Sequence, residues 1–134
     1  MCLAGASGAG AKLLAALPHP DLRVYYVWVP MLPPDEEAAA DALAARFEEP
    51  RALHYWDGER ALAHEMALAL RISARDSLGA GDGPGLAWDV YLTYPRGAVG
   101  VTRPAFWMHQ LGVTHAPRLD AAAFRQRVEE LLAA

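Results

Sequence analysis

Apolar runs along this chain are separated by prolines, glycines and short polar stretches, and each run has a readable period. Residues 3–17 predict a helix anchored by Leu3, Leu13, Leu14 and Leu17, with Gly5, Gly8 and Gly10 in its first half. Each glycine costs a helix about 1 kcal/mol relative to alanine, so three of them argue for close backbone approach to a neighbour. Pro18 and Pro20 end the helix because proline has no amide hydrogen with which to continue it. Leu22 to Val29 reads as the clearest strand, since Val24, Tyr25, Tyr26, Val27, Trp28 and Val29 are all β-branched or aromatic. The run is apolar throughout instead of alternating, and predicts a central strand covered on both faces.

Past Pro33–Pro34, the acidic Asp35, Glu36 and Glu37 open a helix that runs to Phe47, with their charge at the positive end of its dipole. Pro50 stops it, Ala52–Tyr55 is a short strand and Trp56–Asp57–Gly58 a turn. Leu62, Met66 and Leu70 recur at intervals of four and predict a helix over 59–71. Gly79, Gly81, Gly83, Pro84 and Gly85 form a loop, too close to the end of the sequence to be an interdomain linker. Trp88–Tyr94 is the second strong strand. The turn Pro95–Arg96–Gly97 then leads to a hairpin partner at Ala98–Thr102. Asp120 caps a last helix whose Phe124, Val128, Leu131 and Leu132 share one face. The expectation is one α/β domain over residues 1–134, a mixed sheet sandwiched by helices.

Composition narrows the function classes. The 134 residues are 54% apolar and 21% charged, ordinary for a chain with a packed core, and the net charge is −4. The basic residues are scattered singly, which argues against nucleic acid as a partner, because phosphate contacts dominate that affinity. The longest apolar run, Val24 to Leu32, is interrupted by Pro30 and is far short of the about 20 residues a membrane helix needs. The opening residues lack a charged n-region and an apolar core, so no secretory leader is read, and a cytoplasmic location is the default. A single cysteine, Cys2, cannot close an internal disulfide.

Candidate chemistry is sparse. Gly5 to Lys12 has the small residues of a phosphate loop. Yet Ala11 separates Gly10 from Lys12, Leu13 stands where a hydroxyl belongs and no strand precedes, so a small-residue helix face is the reading. His19, His54, His64, His109 and His115 show no zinc spacing, and neither metal nor cofactor is expected. His54 and Asp57 are near enough in sequence to pair a base with a carboxylate across a strand end, although hydrogen-bonded or surface histidines are the commoner case. Ser7, Ser73 and Ser77 lie in no nucleophile elbow. Cys2 precedes a helix start, where unpaired amides favour the thiolate; the alternative is a terminal cysteine without a role.

The order helix, strand, helix, strand, helix, strand, strand, helix resembles the thioredoxin fold without its first strand. More locally, RVYYVWVPML (23–32), HYWD (54–57), AWDVYL (87–92) and PAFWMHQL (104–111) look like segments of a group of bacterial thioredoxin-like proteins of unassigned function. The resemblance covers nearly the whole chain. It implies that Cys2 stands at the second position of a Cys-x-x-Cys motif, as nucleophile or resolving thiol, with Trp28, Trp88 and Asp89 as the nearest groove walls; core packing is the open alternative for Trp28 and Trp88, and Trp56 and Trp107 read as packing. Two departures accompany it. The first motif cysteine would fall two residues before Met1, and the cis-proline position falls near Ala87–Trp88, where the nearest proline is Pro84.

Two functions follow from the resemblance. One is a thiol or redox protein acting on a protein or small-thiol partner through Cys2. The other is a binding or assembly module that keeps the fold without redox activity. A sheet lacking its first strand exposes an edge, which leans the expectation toward a homodimer. Thioredoxin-like genes can place selenocysteine at the first motif position, whose codon is easily read as a stop. The nucleotides before the Met1 codon are therefore expected to encode a strand-like apolar run and a cysteine or selenocysteine codon. Sequencing that region checks this, and an unrelated reading would overturn it.

Overall fold

In a computed structural model, residues 6–78 and 83–134 are described, and they contain both helices and small sheets. The α/β class expected from the sequence is what is observed. Cys2, Leu3, Gly5, Gly79 and Gly81 lie outside the described residues. The chain groups into two compact units, Met1–Ala61 and Leu62–Ala134.

In the first unit the chain enters as a π-helical segment, Ala6–Ala11, that tightens into α1 (Lys12–Ala16). Leu13 and Leu14 are buried, and Pro18 follows the helix as expected. Arg51 reaches back to this helix: its two terminal nitrogens donate to the carbonyls of Leu14 at 2.7 Å and Leu17 at 2.6 Å. These are the orphan acceptors of a helix C-terminus, where a cation also complements the dipole. β1 (Val24–Trp28) lies within the predicted strand, α2 (Glu37–Ala44) continues as a 3-10 turn over Ala45–Phe47, and β2 is Ala52–Trp56. β1 and β2 are parallel, with Tyr26 opposite His54 and Trp28 opposite Trp56.

Parallel register puts opposed residues on the same face, and the two faces differ. Tyr26, Trp28 and Ala40 form a buried cluster with Val24, Phe47, Ala52 and Trp56 against it. The other face carries Tyr25, Val27, Leu53 and Tyr55, and of these Tyr25, Val27 and Tyr55 are exposed. The expectation that β1 is covered on both faces is therefore corrected. The apolar run reports an apolar opposite face, three of whose four side chains are exposed.

The second unit carries α3 (Ala61–Ala69), whose first residue closes the first unit, then α4 (Ala74–Leu78), β3 (Val90–Thr93), β4 (Phe106–His109) and α5 (Ala121–Ala133). The period of four in α3 works as predicted: Met66 and Leu70 are buried, and Leu62 packs on the same cluster with Ala67, Ile72, Ala87, Val90, Leu92 and Trp107. α4 was not anticipated. Its start is a reciprocal cap in which the Asp76 carboxylate accepts from Ser73 N and Oγ, while Ser73 Oγ accepts from Asp76 N.

β3 and β4 are antiparallel, so the hairpin partner is Phe106–His109 and not Ala98–Thr102. Gly97 and Gly100 have φ of +74° and +81°, a conformation that does not continue a strand. Val99 is 94% exposed, so the predicted partner strand is a solvated loop. α5 begins where predicted, with the Asp120 carboxylate accepting from Ala123 N at 2.8 Å and with Phe124 and Val128 buried. The described strands thus pair as two two-stranded sheets, where the sequence reading expects one mixed sheet. Among the described residues no helix is long and apolar enough to cross a membrane.

Gly10 illustrates why the first helix is glycine-rich. A Cβ there would overlap the Tyr26 ring and its hydroxyl, and that ring is held by its neighbours. Gly10→Ala is expected to lower stability by about 1–2 kcal/mol, overpacking outweighing the helix propensity that alanine brings. Chemical denaturation measures this; a stabilised variant would contradict the close approach.

Candidate functional site

Two clusters hold the side chains with chemistry, one in each unit. The first stands on the covered face of β1 and β2. Tyr26 lies flat beside His54, with centroids 4.7 Å apart and planes 4° apart, and Phe47 stacks at 5.7 Å. Trp28 is nearly coplanar with His54, 6° apart, and its indole Nε1 donates to His54 Nδ1 at 3.2 Å. An indole nitrogen is a donor only, so His54 Nδ1 is the acceptor and the ring proton resides on Nε2. That Nε2 is buried without a hydrogen-bond partner among the described residues. Trp28, read from the sequence as a groove wall or a packing residue, is 5% exposed and donates to His54.

Electrostatics around this stack favour a neutral phenol. Burial, and then the Glu49 carboxylate, push the Tyr26 hydroxyl up to about 12, so it remains protonated at neutral pH. Its proton points to the Ala6 carbonyl at 3.4 Å, a long contact. Glu49 is held below the usual carboxylate range chiefly by the Arg51 side chain, whose Nε donates to Oε1 at 2.9 Å. Asp57, considered with His54 as a base–carboxylate pair, receives no hydrogen bond from Nδ1, which Trp28 occupies; its backbone N donates to Trp28 O at 2.9 Å.

The second cluster surrounds His109, the last residue of β4 and 2% exposed. Its backbone N donates to Pro117 O at 3.0 Å, and its carbonyl accepts from Leu119 N at 2.8 Å and Gly112 N at 3.1 Å. Nδ1 accepts from Leu111 N at 3.2 Å, while Nε2 is buried without a partner among the described residues. Burial pulls this imidazole below its ordinary value of 6.5, against the opposing pull of Asp89 and Asp76. Asp89, a residue singled out from the sequence, sits at φ +55°, immediately before β3, and its carbonyl accepts from Gln110 N at 2.8 Å. Trp88 beside it donates from Nε1 to Ser77 O at 2.8 Å, which ties it to α4.

A shallow groove of about 360 Å³ lies between the β3–β4 pair and α5, lined by Thr93, Ala105, Phe106, Arg127, Glu130 and Leu131. Arg127 stands over the Phe106 ring at 5.3 Å and pairs with Glu130 at 2.8 Å, so its charge is already engaged. Among the described residues no group of three or more histidine, cysteine or acidic side chains could hold a metal ion. Of the expected site residues, Trp88 and Asp89 are adjacent in the second unit, Trp28 belongs to the first, and Cys2 lies outside the described residues.

Sequence reasoning missed Tyr26 and His109 as site residues. For Tyr26 no sequence signal existed, because its neighbour His54 is 28 positions away and is brought beside it only by parallel register. The Ser73-x-x-Asp76 spacing, by contrast, is legible as a capping box and could have placed α4. Set against known protein families, curated proteins and solved structures, the chain matches none.

Proposed function

We propose that this chain is a binding or assembly module of thioredoxin-like pattern that works through the open face of its parallel sheet. One observation carries the reading. Parallel sheets are normally covered on both faces, yet Tyr25 is 62% and Tyr55 51% exposed here, stacked on each other at 6.3 Å with Val27 beside them. A two-stranded sheet is marginal by itself and gains from a cover. The four positions of this face are uncharged, so a second copy of the chain meets it without burying an unpaired charge. A homodimer is the assembly this favours. The dissociation constant expected of a weak dimer of this kind is about 10–100 μM.

Sedimentation over a concentration series tests the assembly. The protein is expected to dimerise, and the double variant Tyr25→Thr with Tyr55→Thr to remain monomeric with unchanged circular dichroism. A wild-type chain that is still a monomer well above about 100 μM would overturn the proposal.

The thiol reading draws support from the order of elements: a parallel β-α-β unit, two helices, an antiparallel pair and a closing helix. That order resembles the thioredoxin pattern, in which Cys2 would act on a protein or small-thiol partner. Alkylation rates of Cys2 in the folded chain as a function of pH discriminate. A midpoint well below about 8.5 is expected of an activated thiol, and a midpoint at that value sinks the redox reading.

A further inference from the structure

We propose that His109 is an acid-operated latch on the return segment 110–119, holding it closed while the imidazole is neutral and releasing it when the imidazole takes a proton. The argument is one of hydrogen-bond polarity. Four bonds fasten the segment to this single residue: Leu111 N to Nδ1, Gly112 N and Leu119 N to the carbonyl, and the His109 N to Pro117 O. A protonated imidazole is a donor at both nitrogens. Nδ1 would then face the Leu111 N–H with a hydrogen of its own, while the cation sits at a position 2% exposed whose Nε2 has no described acceptor. Both effects oppose the closed form, and turning Leu111 and Gly112 away relieves both.

The surrounding charges set the direction. Asp89 before β3 and Asp76 on α4 favour the cation, and desolvation disfavours it more strongly. Within the segment itself the charged or titratable groups are His115 and Arg118. His115 fastens the segment a second time, its Nε2 lying 2.6 Å from the Leu70 carbonyl. A carbonyl can only accept, so this nitrogen donates whether the ring is neutral or charged, and that bond survives acid. A proton on His109 thus removes one fastening of the segment, while the His115 contact to Leu70 does not depend on it. Because folding lowers the His109 affinity for protons, the stabilisation is present above pH 6.5 and is lost as pH falls through the lower folded value. Met108 and Ala116, buried at the base of the segment, become accessible when it opens.

Amide hydrogen exchange tests the latch, after correction for the intrinsic pH dependence of each amide. Between about pH 7.5 and about pH 5, Gly112 and Leu119 are expected to lose protection on the order of tenfold, the loss of one to two net hydrogen bonds, while β3 amides hold theirs. His109→Asn offers an acceptor oxygen in place of Nδ1 and cannot titrate, so its segment is expected to stay closed across the range. His115→Gln keeps a donor toward Leu70 and is expected to retain the wild-type response. Protection that is flat in the wild type, or a response that persists in His109→Asn, would overturn the proposal. Should His109→Asn not fold, the wild-type imidazole titration followed by NMR decides: its midpoint must coincide with segment opening, and a His109 that titrates with the segment closed refutes the latch.

Discussion

Parallel pairing of Val24–Trp28 with Ala52–Trp56 sets Tyr26 beside His54 and Trp28 beside Trp56, and most of what distinguishes the first unit follows from that register. A shift by one residue would move the aromatic set to the opposite face of the sheet. In the observed register Trp28 finds an acceptor for its indole hydrogen in the His54 ring, so a large buried aromatic is not left with an unmet donor. The same register lines Phe47 up with Tyr26 and holds the phenol where only a glycine can pass, which accounts for Gly10. Arg51 completes the arrangement by joining β2 to the last carbonyls of α1.

The price of that covered face is an uncovered one. Each strand presents alternate side chains to opposite sides, so a run with no polar position inside it commits both faces to apolar chemistry. In the first unit the cluster of Tyr26 and Trp28 forms on one face, and Tyr25 stacked on Tyr55 is exposed on the other. The proposed assembly follows from this imbalance and needs no catalytic group.

In the second unit the organising element is polar. His109 terminates β4 and gathers the following segment through four hydrogen bonds, three from its backbone and one from its buried ring. Asp76 is engaged with Ser73 in capping α4, so its carboxylate has a structural task as well as an electrostatic effect on His109. Ser77 fastens the segment before β3 in the same manner, its hydroxyl accepting from Leu86 N and its carbonyl from the Trp88 indole.

Local signals were sufficient for much of the chain. The Val24–Trp28 strand, the Leu62–Met66–Leu70 stripe and the Asp120 cap each depend on residues within one or two turns, and each is found where the pattern placed it. The hairpin partner was misplaced because a turn at Pro95–Gly97 is a local feature, whereas the partner strand is chosen by what packs on it: Trp107 joins the cluster of Met66 and Leu70, and Val99 joins nothing. Trp28 was legible as an aromatic at a strand end, but not as the donor to His54. By itself the sequence determined most of the elements and the α/β class, since periodicity and capping act over a few residues. Tertiary structure decided which strands pair, which face of β1 is covered and which histidine is buried, because those depend on contacts between residues far apart in the chain.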